Sequence, residues 1–226
     1  MSLTGQYPLD LPFGPAKLGR TDFIETPANR LDLPTLDAWA ASDEFALAIC
    51  GAPSAGKTHL ASILATEHGG ELVTVADDGG IDRVADGALF VIDGVDRLTR
   101  PTLLLEAIER ARSSAGARIV VTGRGDPKDW AGGLRDLETR LGALSRLTVS
   151  PPDEELLRRV IDKLFTDRQL SVDEKVIDYA APRLARSLDA ARAFVSALDV
   201  AAIAGKARIS IALARKVIDK EENLGL

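Results

Sequence analysis

The run Gly51-Ala52-Pro53-Ser54-Ala55-Gly56-Lys57-Thr58 has the residue types and spacing to hold phosphate. Glycine, four residues, then glycine, lysine and threonine is the pattern of a P-loop. Gly51 and Gly56 let the backbone curl so that successive N–H groups converge on phosphate oxygens. Lys57 supplies a point charge for the β- and γ-phosphates, and the Thr58 hydroxyl completes the shell of a magnesium ion. His59 follows directly; it belongs with the nucleotide-binding stretch, although packing within a helix would also explain it. A second group is Asp93, at the end of the apolar run Leu89-Phe90-Val91-Ile92. An acid at the tip of a strand downstream of a P-loop holds the magnesium or its water. Together these residues specify ATP or ADP with Mg2+.

Such a loop functions only between a strand and a helix. Phe45-Ala46-Leu47-Ala48-Ile49-Cys50 is short and apolar enough for a buried parallel strand. Beyond the loop, Leu60, Ile63 and Leu64 share one helical face, and Gly69-Gly70 stops the helix. Its positive dipole end is aimed at the same anion. Further strands are expected at Glu71–Val75, Leu89–Ile92, Ala117–Thr122 and Leu147–Val149, with helices at Leu103–Arg112 and Leu134–Leu141. Pro34 suits the first turn of an earlier short helix in which Leu36 and Trp39 share a face. Strands alternating with helices imply an α/β domain, a parallel sheet covered on both faces, over residues 21–150. After Pro151-Pro152 the pattern becomes helical throughout, beginning with Leu156, Leu157, Val160, Ile161 and Leu164. Residues 151–226 therefore read as a small all-helical domain.

Residues 1–20 are punctuated by Gly5, Pro8, Pro12, Gly14 and Pro15 and read as an extended arm. Within Gln6-Tyr7-Pro8-Leu9-Asp10-Leu11-Pro12-Phe13, Leu9 and Leu11 point the same way when extended. Such a peptide can fill a partner's groove or fold back on its own domain, and the residues alone leave both open. The chain has 226 residues, 46% hydrophobic and 27% charged, with a formal net charge of −6. That balance excludes a general basic field for gripping nucleic acid, so any DNA contact is local or indirect. A single cysteine, Cys50, gives no internal disulfide framework and suits a reducing cytoplasm. Neither a membrane-length apolar run nor a signal-peptide pattern is present, so a cytoplasmic location without membrane contact is expected.

A P-loop sheet domain followed by a helical lid resembles the plan of the AAA+ ATPases. Throughout its length the chain is similar to the Hda family, DnaA-related AAA+ regulators of bacterial replication initiation. The resemblance rests on Gln6 to Leu11 in the form Q-x-x-L-x-L, on Asn29-Arg30 before a helix, and on Ala55-Gly56-Lys57-Thr58-His59-Leu60. It implies that Gln6, Leu9, Leu11 and Phe13 bind the DNA polymerase sliding clamp, with DNA reached indirectly through the clamp at the nucleoid. It places Phe23 and Ile24 beside the adenine. Arg140, in Leu137-Glu138-Thr139-Arg140-Leu141, becomes the arginine finger acting on nucleotide held by DnaA, with Arg135 and Arg146 as rivals. Arg186 becomes the lid arginine that touches the domain's own nucleotide, with Arg183 and Arg192 as rivals. No DNA-binding helix-turn-helix segment like that of DnaA follows, as expected of a regulator rather than an initiator. A homodimer remains open.

The sequence departs from an active ATPase at two places. Gly94 stands where hydrolysing AAA+ proteins place the carboxylate that polarises water, and Asp96 lies beyond the strand tip. Thr122-Gly123-Arg124-Gly125-Asp126 deviates from the usual polar sensor. Both imply slow turnover, and the resemblance implies an ADP-bound working form that stimulates ATP hydrolysis by DnaA. The alternatives are an adaptor that binds DnaA or another replication protein without stimulating hydrolysis, and a P-loop small-molecule kinase. The kinase reading expects an arginine-rich lid inserted in the sheet domain, and the stretch between Thr122 and Leu147 is short for one.

Overall fold

The computed structural model describes residues 18–75, 87–205 and 207–224, with side chains through residue 220. Gln6, Leu9, Leu11 and Phe13 lie outside the described residues. The chain divides into two compact units, Leu18–Pro151 and a second that begins at Pro152.

In the first unit, β1 (Ala46–Gly51), β2 (Glu71–Thr74), β3 (Leu89–Asp93), β4 (Arg118–Arg124) and β5 (Ser145–Val149) form one sheet in the order β2-β3-β4-β1-β5. Every neighbouring pair is parallel. Parallel strands require crossovers, and α2 (Lys57–Glu67), α3 (Pro101–Ser113) and α4 (Arg135–Gly142) lie in three of them. Alternate residues of each strand face opposite layers. Ala46, Ala48, Cys50, Phe90, Ile92, Ile119 and Val121 pack with Leu104, Ile108, Leu137 and Leu141 of α3 and α4. Leu47, Ile49, Leu89, Val91, Val120 and Val149 pack on the other side with α2 and with α1 (Asp32–Ala40). An inner strand therefore needs apolar residues at every position, as the near-unbroken runs in β1, β3 and β4 provide.

Helix α1 is fixed at its far end by Arg118, at the start of β4. Its guanidinium donates to the Trp39 and Ala40 carbonyls at 2.6 and 2.7 Å and lies 3.9 Å from the centre of the Trp39 ring. A cation on the last carbonyls of a helix satisfies acceptors that have no intrahelical donor. With that end held at the start of β4, α1 packs on α2 and β5. Leu18–Arg20, read from sequence as part of the arm, belong to the sheet unit. Arg20 accounts for this, because it bridges α1 and α2 through ion pairs to Asp37 and Glu67 at 2.5 and 2.7 Å.

The second unit contains α5 (Glu154–Asp167), α6 (Glu174–Ala180), α7 (Leu188–Gly205) and α8 (Ile211–Leu224). Asp153 and Asp173 cap α5 and α6, accepting from the Leu156 and Lys175 amides at 2.8 and 2.9 Å. Leu157, Ile161, Phe165, Ile177, Phe194, Leu198 and Val217 form its core.

Asp32 is an exception in the sheet unit's interior. It sits on the buried face of α1 and its Oδ2 has no hydrogen-bond partner. Burial pushes its carboxyl up to about 6, because the charged form loses water without gaining a partner. A raised acid leaves folding uncompromised at low pH, where the group is protonated in both states. The cost appears as pH rises from about 4 through about 6. Relative to Asp32→Asn, the unaltered protein should therefore lose about 2–3 kcal/mol of unfolding free energy between pH 4 and pH 7. Denaturant titrations of the pair at several pH values measure this difference, and a gap that does not change with pH would contradict it.

Candidate functional site

The loop joining β1 to α2 has backbone conformations that few residues tolerate. Gly51 and Gly56 have φ values of 144° and 111°. A Cβ on Gly51 would stand 2.2 Å from the Val149 carbonyl oxygen of β5, so only glycine lets the loop leave the sheet here. Ser54 also takes a positive φ, 51°, inside the loop. Of the remaining loop residues, Ala55 is buried, Ala52 is half-buried and Pro53 is exposed at the turn. Gly56 sits at the head of the 11-residue α2, whose first amides have no intrahelical acceptor.

Lys57 is only 8% exposed, yet among the described residues its Nζ makes no ion pair with a carboxylate. It donates to the Ala52 and Gly51 carbonyls at 2.6 and 3.2 Å. Burial pulls the ammonium below the ordinary lysine value, and the nearby Asp96 carboxylate is the largest charge pushing it back up. A buried cation that turns to its own loop carbonyls is one that an anion can recruit. Asp93, 8% exposed at the end of β3, accepts from Thr58 Oγ1 at 3.0 and 3.1 Å and from Thr122 Oγ1 at 2.5 Å. The Thr122 hydroxyl in turn accepts from the Gly94 amide at 3.1 Å. The hydroxyl and the acid expected at a magnesium ion thus come together. Among the described residues no group of three or more His, Cys, Asp or Glu side chains could hold a metal on its own. A magnesium bound with phosphates takes most of its ligands from them and from water, so one hydroxyl and one carboxylate suffice.

Gly94 has φ 86°, and a Cβ there would meet the Arg97 guanidinium at 2.3 Å. The backbone is therefore built against a side chain at the position where an acid would polarise water. The 3-10 turn Val95–Arg97 holds Asp96 half-buried, with Arg124 Nε 3.5 Å from its Oδ2.

Phe23 and His59 meet edge to face at 5.3 Å, and His59 Nε2 is 2.9 Å from the Gly19 carbonyl. Asn29 shapes the neighbouring turn: its Nδ2 donates to the Ile24 carbonyl at 2.9 Å and its Oδ1 accepts from the Thr26 amide at 2.6 Å. Phe23 thus packs on His59 in the first turn of α2, and the adjacent Ile24 is held at its carbonyl by an asparagine whose role was not evident in the sequence.

The arginines differ in what holds them. Arg140 pairs with Glu109 of α3 at 2.5 Å and with Asp136 at 3.4 Å, and its Nε is buried without a partner. Arg146 pairs with Asp126 at 2.9 Å. Arg135 is exposed, makes no ion pair among the described residues, and lines a surface groove with Lys128, Glu138 and Thr139. In the second unit, Arg183 lies 4.0 Å over the Tyr179 ring and Arg192 pairs with Asp189 at 2.9 Å. Arg186 is exposed and makes no such contact among the described residues.

Phosphate loop, acid-tipped strand and a loop-bearing β1 inserted between β4 and β5 define the α/β fold of the AAA+ ATPases. Within that class the fold is DnaA-like. Domain III of the Thermotoga maritima replication initiation protein DnaA is similar over 92% of this chain and 98% of its own, with a TM-score of 0.77 and 18% identity. A replication initiator DnaA bound to AMPPCP and single-stranded DNA is similar over 86% of this chain and 68% of its own, at a TM-score of 0.65 and 15% identity. The Thermotoga maritima RuvB Holliday junction branch migration motor is similar over 89% and 71%, at 0.67 and 19%. No protein-family model matches the chain, and no curated protein sequence matches it. No described helix is long and apolar enough to cross a membrane.

Thr122 is the residue on which this edge most depends. Thr122→Val keeps the shape but leaves Asp93 with one hydroxyl partner fewer in a buried setting, and should cost about 1–3 kcal/mol of unfolding free energy. Thr122→Ser should retain most of it. Equal stabilities for the valine variant and the unaltered protein in a urea titration would show that the bond contributes nothing.

Proposed function

We propose that this chain is a nucleotide-binding regulator of replication initiation that holds ADP or ATP with Mg2+ at the β1–α2 loop. The buried, recruitable Lys57 at the head of α2 carries that reading, because nothing in the fold of the domain otherwise requires a cation there. Loop amides and Lys57 would hold the phosphates, and Thr58 with Asp93 would hold the magnesium. Phe23, Ile24 and His59 would flank the base, and Arg186 would reach the phosphates from the helical unit. Lys57→Ala removes the charge on the phosphates but little core area. It should lower ADP and ATP affinity by at least about tenfold while leaving the melting profile near that of the unaltered protein. Unchanged affinity in a calorimetric titration would refute the site.

The resemblance to the Hda family, together with the DnaA-like fold, supports a specific task. Residues 6–13 would dock on the DNA-loaded sliding clamp, and an arginine finger would stimulate ATP hydrolysis by DnaA, repressing initiation. A finger stabilises only the transition state of the partner's reaction, so it matters for rate and hardly for assembly. Arg140→Ala should leave nucleotide and clamp binding intact while stimulated hydrolysis by DnaA falls by about 10³-fold or more. The rate of ATP loss from DnaA, mixed with clamp, DNA and each variant, is the measurement. The triple change of Gln6, Leu9 and Leu11 to alanine should abolish the clamp-dependent part of that rate.

The two carboxylates on Arg140 favour a second reading. A finger held by Glu109 and Asp136 must first be released, whereas Arg135 needs no release. If Arg135→Ala rather than Arg140→Ala removes stimulation, Arg135 is the finger. If the unaltered protein binds DnaA without stimulation, the chain is an adaptor.

A further inference from the structure

The buried polar side chains among the described residues fall in two groups. Lys57, Asp93 and Thr122 make the phosphate edge. The others, Thr26, Asn29 and Asp32, lie close together in the turn that leads into α1. Contacts link this turn to the start of α2 step by step. The Asp32 amide donates to the Asn29 carbonyl at 2.9 Å, and the Asn29 side chain holds the Ile24 carbonyl and the Thr26 amide. Phe23, next to Ile24, packs on His59 in the first turn of α2. Thr26 and Asn29 thereby satisfy each other. Asp32 differs: it is 7% exposed, and among the described residues its Oδ2 accepts no hydrogen bond and its carboxyl makes no ion pair. An acid placed in the first turn for the sake of the helix dipole could serve from the exposed face without giving up water. A buried carboxylate oxygen in this position calls for a donor from outside the fold.

We propose that Asp32 reads the base of the nucleotide, accepting a hydrogen bond from the 6-amino group of adenine and rejecting purines that carry a 6-oxo group. This rests on the nucleotide reading of the β1–α2 loop, with Phe23, Ile24 and His59 at the base, and adds the residue that sets base selectivity. Burial alone acts on the Asp32 carboxyl, with no cation beside it, and no cluster of further ligands could make it a metal site among the described residues. A neutral N–H donor is the partner such a group suits. Adenine presents an amino donor at the position where guanine and hypoxanthine present a carbonyl acceptor. A carboxylate gains a charge-assisted bond from the donor and sets its own lone pairs against those of the acceptor, so it discriminates in both directions. The cost of the buried acid to folding is the counterpart of that selectivity.

Calorimetric titration with ADP, inosine diphosphate (IDP) and 2′-deoxy-ADP tests the assignment, each with Mg2+ at about pH 8 so that Asp32 is ionised. The unaltered protein should bind ADP at least about tenfold more tightly than IDP. Asp32→Asn, whose amide can donate to a 6-oxo group, should cut that ratio about tenfold, chiefly by tightening IDP. Asp32→Ala should cut it through loss of ADP affinity instead. An acid with a merely structural role would leave the ratio alone, because both nucleotides would gain or lose together. The ratio of ADP to 2′-deoxy-ADP should stay within about twofold in both variants, and their melting profiles report that they fold. An ADP-to-IDP ratio unchanged by both substitutions overturns the assignment while leaving the phosphate loop intact. A change confined to the 2′-deoxy ratio also overturns it and gives the acid to the ribose. If the unaltered protein binds no nucleotide, the loop assignment and this one fall together.

Discussion

Asp93 keeps a carboxylate at the buried tip of an inner strand, and the phosphate edge is organised around satisfying it. Two hydroxyls do so, Thr58 from the head of α2 and Thr122 from β4. A half-satisfied polar group in that position would cost more than the hydrogen bonds gain, so the three elements are held in one arrangement. The register of α2 against β3 follows, and with it the direction of the helix's first amides. The close approach of Gly51 to the Val149 carbonyl makes a similar demand on the other side of β1. Between them these contacts set a loop whose shape precedes any ligand, which is how a site gains affinity without first having to be ordered.

The backbone beyond Asp93 is constrained at the same edge. Gly94 cannot accept a carboxylate side chain without displacing Arg97, and Asp96, the next acid along, lies 3.5 Å from the Arg124 guanidinium.

Strand and helix positions were legible because inner parallel strands must be apolar throughout, and Leu89–Ile92 and Ile119–Val121 could be little else. The P-loop was legible because its glycines and lysine are dictated by phosphate geometry. Less visible were residues whose role depends on side chains brought together from distant positions. Thr122 ends an otherwise apolar run, a signal that it bonds something, but its partner Asp93 lies 29 residues away. Asn29 was noticed as one of a pair, while its grip on Ile24 and Thr26 depends on a turn that spacing does not encode. Asp96 sits three residues after Asp93, which fits a tight turn, yet its pairing with Arg124 joins two strands' ends that spacing does not connect. Arg140 looks like any surface arginine in the sequence; Glu109, which engages it, is on another helix.

Nucleotide binding at the β1–α2 loop is tested most directly by following backbone amide signals in a two-dimensional NMR titration of the labelled protein with ADP and Mg2+. The largest saturable shifts should fall on the amides of residues 52 and 54–58, whose N–H groups ring the anion in a loop of this pattern. Shifts that are absent from these amides at millimolar ADP, or that cluster elsewhere in the chain, would contradict the assignment.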